Sequence, residues 1–114
     1  MEPLSVTESS HAGWTVVAPA GPLDVATAPV LRQRLIEVQL PDATALVLDL
    51  ERVEFIDSFG LAIVIGAIKR ARSSAGDIAI RCSRERTRSL LTLTGIDRVL
   101  DVVADLDELR PAGT

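Results

Sequence analysis

Hydrophobic and polar residues alternate in two short runs near the start of the chain, which is the pattern of half-buried strands. The runs are Leu4–Thr7 and Trp14–Ala18, and the turn-forming residues His11–Gly13 lie between them. Two alternating runs joined by a short turn are typical of a β-hairpin. The pattern therefore predicts an N-terminal hairpin, and the segment Gly21–Asp24 then breaks it.

After this break, apolar residues recur at intervals of three and four, as they do on one face of a helix. This spacing predicts an amphipathic helix over about residues 27–40. Thr27 and Asp24 are both residue types that cap helix N-termini. Proline is tolerated in the first helical turn but not deeper, so Pro29 favours Thr27 as the cap.

The remainder of the chain alternates strands and helices. Ala45–Leu50 is almost continuously apolar, as expected of a strand covered on both faces, and a loop is expected at Glu51–Ile56. Further strands are predicted at Ile78–Cys82 and Val99–Val103, and helices at about 58–74, 84–93 and 106–109. A hairpin followed by β-α-β units predicts a single α/β domain with a central mixed β-sheet and about four helices.

The helix after Asp57 has two apolar stripes, since successive residues are about 100° apart around a helix. The first stripe is interpreted as the core face and comprises Leu61, Val64, Ile65 and Ile68. The second lies on the opposite side and comprises Phe59, Ala62, Ile63 and Gly66. Either another element covers this second stripe, or it is an exposed apolar patch of the kind that marks a partner site.

Asp57 and Ser58 lie where this helix begins. Both are good cap residues, so the simplest interpretation is that one of them caps the helix and the other faces solvent. Ser58 is also a candidate for phosphorylation, because a phosphate at a helix N-terminus lies near free N–H groups and the positive end of the dipole. Phosphorylation would add about −1.5 to −2 charge beside the apolar patch and Asp57, and would disrupt a complex formed there.

Composition narrows the class of protein. The 114 residues are 47% hydrophobic and 3% aromatic, with a net charge of −4, so an aliphatic core is expected and nucleic acid is not an expected partner. The basic clusters Lys69–Arg72 and Arg81–Arg88 lie near predicted helix ends, where cations interact favourably with the dipole. We find no signal peptide and no apolar run long enough to span a membrane, which predicts a cytoplasmic protein without membrane insertion.

Few residues are available for catalysis or for metal binding. His11 is the only histidine and lies in the predicted hairpin turn, so no Ser-His-Asp triad or metal cluster is expected around it. Cys82 is the only cysteine, which excludes an internal disulfide and predicts a small buried hydrophobic side chain. The chain is therefore predicted to be a binding protein, not an enzyme, with no cofactor and no metal.

The segment Phe55-Ile-Asp-Ser-Phe-Gly-Leu61 resembles the signature of STAS domains, in particular the bacterial anti-sigma factor antagonists. Gly21-Pro-Leu-Asp24 with Thr27-Ala28, Leu46–Leu50 and Leu93–Leu100 are similar to other segments of that family. Phe59 stands where the family usually has Ser or Thr, and Pro22 where it has Glu. The resemblance implies a STAS domain over residues 1–110, and we expect residues 111–114 to form a frayed tail.

The resemblance also implies a function. Such proteins bind an anti-sigma factor, often one that is also a serine kinase, and so free a sigma factor for transcription. The kinase phosphorylates the serine at the position of Ser58, which disables the antagonist, and a phosphatase restores it. The expected docking surface comprises Asp24, Asp57, Ser58, Phe59, Ala62, Ile63 and Gly66.

Two alternatives remain open from the sequence. The chain could be a STAS module of another kind, such as a scaffold subunit of a stress-sensing assembly or a cytosolic subunit beside a transporter. It could also be a binding module that is not phosphorylated, in which Ser58 is only a helix cap. Exchange of Ser58 for alanine separates these functions, because a lost cap costs stability whereas a lost phosphorylation site changes partner occupancy.

Overall fold

The computed structural model describes residues 4–113, which form one sheet with helices packed on it. The strands are β1 (Ser5–His11), β2 (Trp14–Leu23), β3 (Ala45–Asp49), β4 (Arg52–Ile56), β5 (Asp77–Arg81) and β6 (Asp101–Val103). The helices are α1 (Ala28–Val38), α2 (Ser58–Ser73) and α3 (Glu85–Leu93), and short 3₁₀ turns lie at Ile96–Arg98 and Leu106–Glu108. The predicted α/β class and hairpin are confirmed, with three α-helices and two 3₁₀ turns in place of about four helices.

The sheet is mixed, as predicted. Its order is β1-β2-β3-β5-β6, with β1 antiparallel to β2 and the other pairs parallel. β4 pairs with the second half of β2, on the side where β3 pairs with the first half. The carboxyl ends of β2 and β4 therefore lie side by side, and each of them leads directly into a helix.

The core lies between the sheet and the three helices. Alternate residues of β3 face opposite sides, so Leu46 and Leu48 point to the helices and Val47 points to the other face, and all three are fully buried. On the helix side, the core also contains fully buried side chains from β2, α1 and α2, among them Val17, Leu31, Leu35 and Val64. Burial on both faces explains why this strand is continuously apolar in the sequence.

Two predictions about irregular segments are wrong. β2 does not end before Gly21 but continues to Leu23 through a register shift at Gly21, whose φ of 118° is open to glycine. The expected loop at Glu51–Ile56 is mostly β4. Neither segment shows a regular alternation of apolar and polar residues. They form strands because they pair with each other, and pairing between segments distant in the chain is not visible in a local sequence pattern.

The core face of α2 also differs from the prediction. The buried residues of this helix are Gly60, Val64, Ala67, Ile68 and Ala71. Ile65, which was predicted in the core, is 40% exposed. Three of the buried residues are Gly or Ala, because the helix packs closely on the sheet, and these small residues carry little weight in a hydrophobic pattern.

The basic cluster around α3 also lies at a different end of its helix than expected. Arg84 is the N-cap residue and Arg86 is in the first turn, where a cation opposes the helix dipole. Arg84 instead donates a hydrogen bond to the carbonyl oxygen of Val53 at 2.7 Å. The cluster Lys69–Arg72 fits the prediction, with Arg70 and Arg72 in the last turn of α2.

The C-terminal segment covers part of the second face of the sheet. Leu106, Leu109 and Ala112 pack against a cluster that includes Trp14 and Val47. The N–H of Ala112 donates to the carbonyl oxygen of Ala12 at 2.8 Å, so the tail that was expected to fray is held here as far as Ala112. Residues 1–3 of the predicted domain and Thr114 of the predicted tail lie outside the described residues.

Candidate functional site

The end of β2 and the start of α2 are in direct contact, and this contact assembles the candidate site. The backbone N–H of Asp57 donates to the carbonyl oxygen of Leu23 at 3.2 Å. Gly60 is buried against the same residue: a Cβ at position 60 would lie 2.7 Å from the Leu23 oxygen and 2.9 Å from a methyl carbon of Ile56. Only glycine fits there, and the contact brings the loop at Asp24 next to the start of α2.

Asp57 is the N-cap of α2. Its carboxylate Oδ1 accepts hydrogen bonds from the N–H groups of Phe59 and Gly60, at 2.9 and 3.0 Å. Its backbone is extended, with φ −99° and ψ −172°, as is usual for a cap residue. Of the two cap residues predicted for this helix, Asp57 is therefore the one that caps.

Ser58 is the first residue of α2 and is exposed. Neither its hydroxyl nor its N–H makes a hydrogen bond to another of the described residues. Since Asp57 already satisfies the next two N–H groups, the fold makes no use of the Ser58 side chain. The hydroxyl is open to solvent and to any enzyme that reaches this end of the helix.

Asp24 organises the neighbouring loop. Its Oδ1 accepts from the N–H groups of Ala26 and Thr27, at 3.0 and 3.1 Å, and its own N–H donates to the Thr27 hydroxyl at 2.9 Å. The Thr27 hydroxyl is buried and donates to the carbonyl oxygen of Pro22 at 2.7 Å. Thr27 is thus the residue before α1, as predicted, but its side chain accepts no hydrogen bond from an N–H group of the helix, and the half-buried Asp24 accepts from the two N–H groups that precede α1.

The second apolar stripe of α2 is only partly a free surface. Phe59 is 55% exposed and Ala62 is exposed. Ile63 is half-buried and packs against the core, so at this position the stripe is partly covered, which is one of the two possibilities that the sequence left open. Gly66 is half-buried too, because the guanidinium of Arg70 lies over it, with Nη1 3.4 Å from where a Cβ would be. The exposed patch beside Ser58 is therefore smaller at its far end than the sequence indicated.

The structure adds exposed apolar residues that the sequence analysis did not assign to the site. Phe55 is 46% exposed and lies two residues before the cap, and Val25, in the loop held by Asp24, is 58% exposed. Phe55 was missed because its segment was interpreted as a loop. Exposed aromatic and β-branched residues on both sides of a hydroxyl make this surface suited to binding a protein.

The described residues offer little for other kinds of chemistry. No group of three or more His, Cys, Asp or Glu side chains among them is arranged to hold a metal ion. His11 lies 3.5 Å from Asp107, at the hairpin, and is not part of the site around Ser58. Within the described chain, none of the helices has the length and apolar character needed to cross a membrane.

Comparison with known proteins agrees with this geometry. The family model described as "STAS domain" matches residues 4–109. The chain is 30% identical to the anti-sigma-F factor antagonist RsfB of Mycobacterium tuberculosis, over 92% of this chain and 85% of that protein. It is 33% identical to the anti-sigma-B factor antagonist of Bacillus subtilis, over 75% of this chain and 77% of that one.

A solved structure shows the same fold. An anti-sigma factor antagonist from Mycobacterium paratuberculosis superposes with a TM-score of 0.82 at 31% identity. The match covers 92% of this chain and 89% of that one.

Proposed function

Because the chain belongs to the STAS domain family, we propose that it acts as an anti-sigma factor antagonist. It binds an anti-sigma factor and so frees a sigma factor for transcription. The observation that carries this proposal is the exposed Ser58 at the start of α2, with the exposed ring of Phe59 next to it. The curated relatives named above are antagonists of this kind, which supports the proposal.

The docking surface comprises the start of α2 and the neighbouring loop. Phe59 and Ala62 supply exposed apolar area, and Val25 extends it onto the loop that Asp24 holds in shape. Burial of apolar side chains at the centre of an interface, with polar groups at the rim, is the usual anatomy of protein complexes. Asp24 and Asp57 contribute by positioning these elements, since their carboxylates accept backbone hydrogen bonds.

Phosphorylation of Ser58 switches the antagonist off. The fold tolerates the modification, because the Ser58 hydroxyl has no hydrogen bond to lose and the cap belongs to Asp57. The phosphate brings about −1.5 to −2 charge to a surface that must be desolvated when the partner docks. That charge also lies beside the carboxylate of Asp57, so burial of the pair opposes binding.

In this scheme the chain is a substrate and a binding partner, and other proteins supply the catalysis. The anti-sigma factor is itself the serine kinase that modifies Ser58, and a phosphatase that acts on phosphorylated Ser58 restores binding. Both reactions take place in the cytoplasm. The exposed hydroxyl at a helix end is sterically open to both enzymes.

The experiment that tests this function measures binding of the purified kinase-type anti-sigma factors encoded in the source genome to immobilised protein. The variants are wild type, Ser58→Ala and Ser58→Glu, with Ser10→Glu on the exposed strand β1 as the matched charge control. We expect wild type, Ser58→Ala and Ser10→Glu to bind one anti-sigma factor alike, and Ser58→Glu to bind at least tenfold more weakly. With labelled ATP, the same factor should modify wild type but not Ser58→Ala.

A second candidate function rests on Phe59. Its exposed ring stands where the family usually has a small hydroxyl residue, and it changes the surface that a kinase would meet. A STAS module that is not phosphorylated, in a stress-assembly scaffold or beside a transporter, accommodates this residue equally well. Equal binding by Ser58→Glu and wild type, with no labelling of Ser58, would favour this function over the phosphorylation switch.

A further inference from the structure

We propose that the docking surface extends across α3, where a groove accepts an apolar side chain of the anti-sigma factor next to one of its carboxylates. The groove, called the α3 groove below, is lined by Phe55, Ile56, Leu90 and Leu93, with Arg86 at its rim. This inference rests on the proposed function, because it concerns the same partner.

The α3 groove is an apolar depression on an otherwise polar helix. It encloses a volume of about 270 Å³. Leu93, at the end of α3, is 84% exposed, and Phe55, at the end of β4, is 46% exposed. Both of these apolar side chains line the groove and are open to water, so entry of a third apolar side chain that buries them lowers the free energy.

Arg86 supplies the charge that defines the partner. It is the only charged residue among those that line the groove, and it forms no ion pair or hydrogen bond with any residue between 4 and 113. Its place in the first turn of α3 opposes the helix dipole, so it does not serve the helix. An exposed guanidinium beside an apolar groove is suited to a carboxylate on the partner.

Three of the five α3 residues that line the groove lie on one stripe. Arg86, Leu90 and Leu93 are separated by four and three positions, which places them on the same side of the helix. Leu91 is buried in the core, and the buried Thr87 lines the groove together with Ser89. α3 therefore presents a continuous outward stripe that begins with a cation and ends with an exposed leucine.

The groove is continuous with the site at Ser58. Ile56 forms part of its wall, and the same side chain packs on Gly60 in the first turn of α2. Ser58 lies between these two residues in the chain. A partner that contacts Ser58 and Phe59 therefore has the α3 groove at the edge of the same surface, which is why we assign it to the anti-sigma factor.

No described segment of this chain covers the groove. The C-terminal segment packs on the other face of the sheet, against Trp14 and Val47. Strand β1 lies at the edge of the sheet, on the side of β2 opposite to β4, which carries Phe55 and Ile56. Within residues 4–113, the groove is thus open to a second protein.

The test measures the affinity of the purified anti-sigma factor for wild type, Leu93→Glu, Arg86→Glu and Leu40→Glu. Leu40 is 73% exposed after the end of α1 and is not part of the groove, so Leu40→Glu controls for loss of an exposed leucine. We expect Leu93→Glu and Arg86→Glu each to bind at least tenfold more weakly and Leu40→Glu to bind as wild type does. Arg86→Glu should also flatten the dependence of the association rate on salt concentration.

A crosslink identifies the occupant. A photoreactive phenylalanine analogue at position 93 should join to a partner segment in which an apolar residue lies within a few residues of Asp or Glu. Normal binding by Leu93→Glu, with loss of binding by Ser58→Glu, would overturn the α3 groove and leave the proposed function standing. Failure of wild type to bind any anti-sigma factor of the source genome would overturn both the proposed function and the assignment of the α3 groove.

Discussion

Trp14 donates its indole N–H to the carbonyl oxygen of Arg110 at 2.8 Å and so connects the N-terminal hairpin to the C-terminal segment. The two residues are 96 positions apart in the chain. The indole is 94% shielded from solvent, since only 6% of Trp14 is exposed. Because Trp14 is the only tryptophan, its fluorescence reports on this contact and on global unfolding.

We expect a chain that ends at Leu109 to show a red-shifted Trp14 emission and a free energy of unfolding lower by at least about 1 kcal/mol, because the indole N–H loses its acceptor and the hydrogen bond and packing of Ala112 are lost as well. Urea unfolding followed by fluorescence measures both. Arg110→Ala is the matched control, since it keeps the backbone carbonyl. An unshifted emission in the shortened chain would show that the contact does not shield the indole.

Gly60→Ala should lower the free energy of unfolding by about 1–3 kcal/mol. The new methyl group would lie 2.7 Å from the carbonyl oxygen of Leu23, which is backbone and cannot move aside cheaply. Gly66→Ala is the control: its methyl group would meet only the flexible Arg70 side chain at 3.4 Å, and the helix gains up to about 1 kcal/mol from the exchange. Urea unfolding should give a lower free energy of unfolding for Gly60→Ala than for wild type and a higher one for Gly66→Ala. Equal stability of the two variants would contradict the close packing at Gly60.

Asp57→Ala should lower the free energy of unfolding by about 1 kcal/mol, because two N–H groups of α2 lose their acceptor. Ser58→Ala should change it by less than about 0.5 kcal/mol, since that side chain serves no bond within the described residues. Thermal or urea unfolding distinguishes them. A larger loss of stability in Ser58→Ala than in Asp57→Ala would contradict the assignment of Asp57 as the cap.

Glu51 makes the stability dependent on acid. Its carboxylate accepts from the hydroxyl and the N–H of Ser83, at 2.6 and 2.7 Å, and these bonds lower its pKa below the ordinary 4.5. A carboxyl with a lowered folded pKa adds stability above its unfolded pKa, and this is lost as pH falls through the folded pKa.

The free energy of unfolding of wild type should therefore fall more steeply below about pH 5 than that of Glu51→Gln. Glu54→Gln serves as control, because Glu54 is exposed and accepts no hydrogen bond from the described residues. Its slope should equal that of wild type. Unfolding curves at several pH values give the slope of the free energy of unfolding against pH. A wild-type slope no steeper than that of Glu51→Gln would show that the hydrogen bonds from Ser83 do not cause the pH dependence.

The sequence predicted those parts of the fold that a local pattern determines. The hairpin has its turn residues between two alternating runs, and β3 is continuously apolar because both of its faces are covered. β4 was missed because it pairs only with the irregular end of β2, and its exposed Arg52 and Glu54 resemble a loop. Pairing between distant segments leaves little trace in a single strand of this length.

The candidate site was located by its cap residues, but its extent was not. Asp57 and Ser58 begin α2 as predicted, because cap chemistry is local. The core face of α2 is rotated relative to the prediction toward Gly60, Ala67 and Ala71, whose small size is dictated by contact with the sheet and not by hydrophobicity. The exposure of Phe55 likewise depends on the neighbouring α3, which no local pattern reports.

Asp57 caps the helix and Ser58 does not, and this difference has an evolutionary consequence. The Asp57 side chain accepts hydrogen bonds from the first turn of α2, whereas the side chain of Ser58 contributes little to the stability of the fold. Substitutions at position 58 therefore cost the fold little, and under the proposed function they convert a switchable antagonist into one that is permanently active or permanently silent. If Ser58 is the switch that we propose, regulation can be gained or lost within a lineage by single codon changes while the fold is kept.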